Sequence, residues 1–434
     1  MESLRILFVA PYPPGCVRSR SFHLLEYLLT RGHGVTLACP TPWHPKSLDG
    51  AQSRLDELRR LGARVVTDRP APWRRAMNAL DAKVMGQPRA ARAAWSPRLA
   101  RQIRLELERH PADVLHVEQL AAACYAVGSA DLLGPSAPTR VWDCEICQSD
   151  RVARHARSGA PARSRLTARL PGQRLSRYEG RMVWGFDRVL VASPHDLNAV
   201  ARVARRLSPW APTDSALVEE LGILPSGVDC ARVAFRDPLD RPQVVLFSGV
   251  MDDPLDADAA EFLVERVMPE VWRRRPEVPV VLVGPAPPRV VRAAARRDAE
   301  RVHTAGLVPD VAPYLVTAAV SVAPMPYPGG SRRKILESWA CGTPVVTDAW
   351  TAGALDATHE QELLVAEAPQ QYAAAIVRLL ADPELRRRLA RAGRALVEDR
   401  FNWDQVGQQL EAHYELAMAA RSQRTGGKLR LHAG

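Results

Sequence analysis

Short apolar runs alternate along the chain with longer segments whose apolar positions recur at helical spacing. Leu4–Ala10 reads as a strand, a Pro- and Gly-containing loop follows, Ser19–Arg31 has the spacing of a helix, and Gly34–Ala38 reads as a second strand. Asp113–Val117, Thr139–Asp143 and Arg188–Ser193 continue as strands separated by helical or arginine-rich segments. Such brief, continuous apolar runs suit parallel strands buried on both faces. The alternation pauses around Ile223–Asp229 and restarts with a strand at Gln243–Gly249. A helix over Ala257–Arg275, a strand at Val280–Gly284, a helix near Arg289–Glu300 and a strand at Val302–Gly306 come next. They are followed by a short helix from Asp310, a strand Val320–Ala323, a helix from about Ser331 to Cys341 and a strand Pro344–Thr347. The stop between the last two is explicit: Gly342 follows the helix, where positive φ is usual, and Pro344 cannot continue it. Helices over Gln370–Ala381, Pro383–Val397 and Trp403–Ala419 close the pattern.

At 434 residues this is too much chain for one ordinary core. It predicts an α/β protein of two Rossmann-like, doubly wound parallel-sheet domains facing a cleft. The expected divisions are an N-terminal domain over 1–225, a C-terminal domain over 226–402, a helix over 403–420 crossing back to the first domain, and a loose basic tail over 421–434. The apolar run near Met1 is too short for a secretory signal and no stretch is long enough to span a bilayer, so a cytoplasmic protein is expected.

Charge changes this picture in one respect. The net charge is +11, but residues 1–225 hold 33 Lys and Arg against 21 Asp and Glu, while the rest of the chain is close to neutral. The densest part is Arg151–Arg181, whose nine arginines are opposed in sequence only by Glu179. It reads as a solvated helix face, with peripheral attraction to an anionic membrane or polyanionic acceptor as the alternative and nucleic acid not expected as a partner. The seven cysteines are odd in number and scattered, which suits reduced thiols. Cys144 and Cys147 lack the second pair or nearby His of a zinc site and read as partly buried thiols.

The candidate chemistry lies at two small-residue loops. Pro13-Pro-Gly15-Cys16 follows the first strand, and Pro328-Gly-Gly-Ser331 leads into Arg332-Arg-Lys-Ile-Leu-Glu337. Glycine lets a phosphate approach the backbone, and helix N–H groups favour an anion. In a helix Arg333, Lys334 and Glu337 share a face, so cations and a carboxylate could hold a diphosphate and a ribose diol, or could be an ordinary surface ion pair. His116 and Glu118 sit two apart at a strand end and point the same way, which suits acceptor or sugar recognition or a structural histidine.

Arg31-Gly-His-Gly-Val-Thr-Leu37, Ser193-Pro-His-Asp196, Leu224-Pro-Ser-Gly-Val-Asp229 and Lys334-Ile-Leu-Glu-Ser-Trp-Ala-Cys-Gly-Thr-Pro-Val-Val346 resemble family 4 retaining glycosyltransferases of the GT-B fold. Residues 247–347 particularly resemble sugar transferases of exopolysaccharide systems. The resemblance implies transfer of a sugar with retention; the expected reaction runs from an NDP-sugar, with UDP or GDP favoured, to a hydroxyl on a glycan, lipid-linked sugar or small metabolite, and with no His/Asp cluster in the sequence no metal or other cofactor is expected. The resemblance also implies donor binding by Gly15, by the stretch holding Leu307 and Val308, and by Glu337 on the ribose; the residue pattern adds Gly249, Gly330, Ser331, Arg332, Arg333 and Lys334 as donor-binding candidates. His116, Glu118 and Lys334 are the candidate catalytic side chains, and Arg18 and His116 the candidate acceptor contacts.

The chain also departs from the family pattern. Its first motif glutamate falls on Gly329, a usual arginine falls on Val250 and a nearby lysine is missing, so Arg332, Arg333 or Lys334 must supply the leaving-group cation. Glu118 stands where the family often has His, and Ser226 where it often has Asn. These departures keep open a non-catalytic, nucleotide-binding relative in polysaccharide assembly and, more remotely, a sugar-nucleotide epimerase. Asp256-Ala-Asp258 imitates a metal-binding Asp-x-Asp, but its place after Pro254 predicts helix capping, as does that of Asp310.

Overall fold

The computed structural model describes residues 2–15, 19–41, 51–126, 137–157, 162–207, 220–325 and 332–431. The chain divides into two compact units, Met1–Pro225 with Val406–Gly434, and Ser226–Gln405. The first contains β1 (Arg5–Val9), β2 (Gly34–Pro40), β3 (Arg64–Asp68), β4 (Val114–Glu118), β5 (Thr139–Glu145), β6 (Arg188–Val191) and β7 (Leu221–Ile223) in the spatial order β3-β2-β1-β4-β5-β6-β7. The second contains β8 (Val245–Ser248), β9 (Val280–Val283), β10 (Val302–Gly306), β11 (Val320–Ala323), β12 (Val345–Thr347) and β13 (Leu364–Val365) in the order β10-β9-β8-β11-β12-β13. Every pairing is parallel. Both sheets are therefore doubly wound, as the alternating pattern predicts, and each reverses its strand order once: at β1/β4 and at β8/β11.

The central strands are legible because they are buried throughout; β4, β6, β8 and β11 have no exposed position. The strands that the apolar pattern does not announce are β3, β7 and β13, all at or near sheet edges. β3 has only the half-buried Val65, Val66 and Thr67 between Arg64 and Asp68, and β7 and β13 are three and two residues long. The helix expected to begin at Ala257 starts at Pro254 instead, capped by Asp253, whose Oδ1 accepts from Leu255 N at 3.0 Å. It widens by one residue per turn over Leu263–Val267, just ahead of Met268–Trp272. Pro269 there has no N–H to give the preceding turn, which accounts for the wider loop.

The last helix, Trp403–Leu431, continues past Arg421, where the sequence pattern leaves a loose tail. From Val406 onward it belongs to the first unit. Gly407 lies against Tyr27, and a Cβ there would overlap the Tyr27 ring. One turn on, Glu411 receives the Tyr27 hydroxyl at 2.9 Å and faces His33 Nε2 at 2.9 Å. His413 Nε2 donates to Ile223 O at 3.0 Å while Nδ1 accepts from Arg188 Nε at 3.1 Å, which assigns one neutral tautomer. Burial lowers the pKa of His413, with the hydrogen bond to Ile223 opposing it. Close approach at Gly407 is what brings these bonds within reach. Gly407→Val is expected to cost about 1–3 kcal/mol through overpacking, read as a lower urea midpoint at unchanged m-value.

Candidate functional site

In the second unit the polar side chains gather at the strand-order reversal. The helix after β8 carries Asp256 and the helix after β11, Arg333–Ala340, carries Lys334. Lys334 Nζ meets Asp256 Oδ1 at 2.5 Å and stands 4.9 Å from the centre of the Phe247 ring. Asp256 Oδ2 accepts from Val250 N at 2.7 Å. Asp256 is thus no terminal cap: it ties the turn after β8 to the helix after β11. The turn is tight, since a Cβ on Gly249 would lie 2.9 Å from Asp256 Cγ, and one on Gly284, at φ +143°, would collide with Gly249 O. Next to Lys334, Arg333 Nε donates to Glu337 Oε1 at 2.6 Å, and both side chains are part-exposed. The Arg332 guanidinium lies 4.9 Å from the Trp350 ring centre, a cation–π arrangement.

This helix is held at its far end as well. Ser338 Oγ donates to Lys334 O at 2.7 Å and bonds Ser321 Oγ of β11 at 2.8 Å. Arg241 donates to Cys341 O at 2.8 Å, and Arg394 donates to Ala340 O at 2.6 Å. Two guanidinium groups on its last carbonyls satisfy the helix terminus and oppose its negative dipole end. At the edge strand, Leu307 is 55% exposed beyond Gly306, while Val308 is partly buried against the apolar cluster that includes Leu315 and Ala318. Asp310 Oδ1 accepts from Ala312 N at 2.9 Å, closing the turn into the short helix Ala312–Leu315. Gly329, Gly330, Ser331 and Arg18 lie outside the described residues. Gly15 is described, and a Cβ on it would meet Ala51 at an ordinary 3.9 Å, so its neighbours do not demand glycine.

The first unit places its polar residues at the corresponding reversal, but beneath the surface. His116 and Glu118 on β4 are 0% and 1% exposed. His116 stacks on Phe8, ring centres 4.3 Å apart, and its Nδ1 meets the Tyr414 hydroxyl at 3.0 Å. Burial, helped by Arg20, drives its pKa down to about 3. Glu118 receives the Ser21 hydroxyl at 2.5 Å, and burial together with Asp143 pushes its pKa up to about 8. Asp143, opposite Glu118 on β5, takes Arg20 Nε and Nη2 at 3.1 and 2.8 Å. Arg20 also donates to Leu224 O at 3.0 Å and Pro225 O at 2.7 Å. So His116 is a neutral ring and Glu118 a neutral carboxyl at pH 7, neither with a free path to solvent.

The next residues along these strands reach further out. Gln119 and Glu145, at the ends of β4 and β5, are not glycines yet have φ of 58° and 61°. Such conformations cost on the order of 1–3 kcal/mol each and persist where surroundings impose them. Here Gln119 Nε2 donates to Glu145 Oε2 at 3.0 Å and to the Tyr12 hydroxyl at 2.6 Å. The triad spans the ends of β1, β4 and β5. Sequence alone does not single these residues out, because positive φ in a non-glycine leaves no mark on composition. Among the described residues no group of three or more His, Cys, Asp or Glu could hold a metal ion, and no helix is long and apolar enough to cross a membrane. Cys144 and Cys147 are free, buried thiols.

Two doubly wound parallel sheets, each with polar side chains at its strand-order reversal, are consistent with the GT-B fold of glycosyltransferases. Residues 242–382 match the model of the family described as "Glycosyl transferases group 1". The chain is an enzyme related to that family and to bacterial sugar transferases. It is 26% identical over 428 residues to the phosphatidyl-myo-inositol mannosyltransferase of Mycobacterium tuberculosis H37Rv, covering 95% of this chain and 97% of the relative. It is 31% identical over 224 residues to the D-inositol 3-phosphate glycosyltransferase of Segniliparus rotundus, covering 49% and 45%. Among solved structures, the sucrose-phosphate synthase of Thermosynechococcus elongatus superposes with a TM-score of 0.66 at 18% identity, covering 96% of this chain and all of that one, a likeness of fold.

The Glu118 environment has a measurable sign. Unfolded, this carboxyl loses its proton near pH 4.5, and folded near pH 8, so across that window the unfolded state binds fewer protons and stability falls as pH rises. The decline is absent below pH 4.5 and complete above pH 8. Glu118→Gln, neutral throughout, should flatten the fall in the urea midpoint between those limits.

Proposed function

We propose that the enzyme transfers a hexose from an NDP-sugar to a hydroxyl acceptor with retention, and that the helix Arg333–Ala340 carries the donor-binding residues. The observation that carries this reading is the presence of Lys334 and Glu337 on one helix at a sheet reversal, inside the segment that matches the family. In this reading Glu337 accepts from the ribose hydroxyls. Arg333 and Lys334 turn from Glu337 and Asp256 toward the diphosphate, Gly249 and Gly330 admit the phosphates, and Leu307 and Val308 line the base. The bond from the anomeric carbon to the β-phosphate oxygen breaks with its electron pair leaving on the diphosphate. The acceptor oxygen bonds that carbon from the same face, and its proton passes to a departing phosphate oxygen. Cations beside the leaving group lower the energy of the charge that develops there.

On the acceptor side, His116 and Glu118 become positioning residues that hold the end of β4, and the exposed part of the Tyr12–Gln119–Glu145 triad accepts or donates to hydroxyls. The names of the two relatives, with their inositol-type acceptors, support including phosphatidylinositol and inositol phosphates beside glycans in an acceptor panel. UDP and GDP remain the first nucleotides to try. The reading also carries a cytoplasmic location, with peripheral contact to an anionic bilayer through the basic first unit.

A thermal-shift series with UDP, GDP, ADP and dTDP, followed by single-turnover assays with radiolabelled NDP-sugars, tests the proposal. A nucleotide present at 100 times its Kd stabilises the folded state by about 2.7 kcal/mol. No shift with any nucleotide and no transferred label would refute it. Given about 1.5–3 kcal/mol per charge-assisted hydrogen bond, Lys334→Ala and Glu337→Ala should each lower kcat/KM roughly 10- to 100-fold. The far-ultraviolet circular dichroism should stay that of the wild type.

A further inference from the structure

The helix Arg74–Val84 of the first unit is turned inside out. At about 100° per residue, Trp73, Met77, Leu80 and Val84 fall in one narrow stripe along it. All four face solvent, at 63%, 39%, 53% and 77% exposure, and Met85 prolongs them at 57%. The opposite face holds Asn78 and Ala82, both buried, and Asn78 Nδ2 donates to Trp95 O at 2.8 Å. A helix of a globular unit hides its large apolar side chains and shows small or polar ones; this one does the reverse. Eight large apolar side chains are exposed among the described residues, and five of them are here, so the exposure is a patch and not scatter.

Charge selects what covers it. Residues 69–92 carry Arg69, Arg74, Arg75, Lys83, Arg89 and Arg92 against Asp81 alone. Asp81 is itself engaged by Arg74 at 3.4 Å. Arg74 and Lys83 border the apolar stripe on its two sides, and Arg75, Lys83 and Arg89 are exposed. Apolar side chains in one stripe with cations along its borders match a bilayer interface. The stripe enters the acyl boundary, the cations stay at the level of anionic head groups, and an indole is suited to the boundary itself. An apolar protein groove would fit the stripe but gives no reason for the basic borders.

We propose that Arg74–Val84, with Trp73 and Met85, is an interfacial anchor that docks the first unit on an anionic membrane surface. This deepens the peripheral contact suggested above by moving it from Arg151–Arg181 to a different element, and it does not depend on which sugar is transferred.

Flotation of the full chain with vesicles of phosphatidylglycerol and phosphatidylcholine, against phosphatidylcholine alone, at physiological ionic strength tests it. The wild type should float with the anionic vesicles only. Leu80→Gln/Val84→Gln, and separately Trp73→Ser, should weaken binding at least about tenfold, equivalent to about 1.4 kcal/mol. Their circular dichroism and melting should be unchanged, because the replaced side chains are exposed. Arg174→Gln/Arg177→Gln, on the other basic segment, should keep most of the binding. A wild type that does not float removes membrane contact altogether. Binding lost in the arginine variant but kept in the other two overturns the anchor while leaving peripheral contact standing. A wild-type dimer in sedimentation that Leu80→Gln/Val84→Gln turns into monomer makes the stripe a self-association face and also overturns the proposal.

Discussion

The contact on which the second unit's site depends is the ion pair of Lys334 with Asp256. At the reversal of a doubly wound sheet, two adjacent strands send their helices to opposite faces, and the turns that follow are left side by side. Asp256 satisfies its own turn through Val250 N and reaches the neighbouring helix through Lys334. With the lysine 9% and the aspartate 18% exposed, removal of either leaves the other charge in poor solvent. For fully buried pairs that costs about 3–5 kcal/mol, and less at this exposure. The pair therefore fixes where the front of Arg333–Ala340 lies, while Arg241 and Arg394 fix its back. Even the neighbouring helix is fitted to it: a Cβ on Gly393 would overlap the Trp339 ring.

That arrangement gives physical content to the departures from the family pattern. Val250, where the resemblance leads one to expect an arginine, gives its backbone amide to Asp256. In the proposed donor site an incoming diphosphate meets a lysine already neutralised in part, so phosphate binding is coupled to the release of Asp256. Arg333 stands in the same relation to Glu337. Selectivity for a polyanion over a single phosphate follows, since only a ligand with several charges compensates for separating both pairs.

How much could be read beforehand varies with burial. The parallel sheets were legible because Ile6–Val9, Val189–Val191 and Val245–Phe247 are unbroken apolar runs, and the helix bearing Lys334 announced its end through Gly342 and Pro344. The strands β3 and β13 were not, because Arg64–Asp68 is at best half-buried along its length and Leu364–Val365 is too short to have a period. Asp256 looked like a cap since it follows a proline, and only the fold places it beside a residue 78 positions away. Glu179 misled in the same manner. In sequence it stands among arginines, whereas in space it is buried and accepts from Gln148 N at 2.7 Å and Ser149 N at 2.8 Å, the start of another helix.

The same distinction separates the two units. Each gathers polar groups at its sheet reversal, yet in the first unit they are sealed: Arg20, Asp143, Glu118 and His116 are buried, with Glu118 bonded to Ser21 of the helix Arg20–Thr30 and His116 to Tyr414 of the final helix. Of its three clustered acids, Glu118 holds its proton at neutral pH because two neighbouring carboxylates and burial outweigh a single arginine. Such a cluster is costly to assemble and offers no reactive group at the surface, so its effect must be exerted through backbone. The strand ends it anchors are the ones where Gln119 and Glu145 adopt left-handed φ. Rigid buried bonds below and a side-chain bridge above hold a conformation that neither residue would adopt alone. Any ligand that binds Tyr12, Gln119 or Glu145 meets hydrogen-bonding groups whose ordering cost has already been met by the fold.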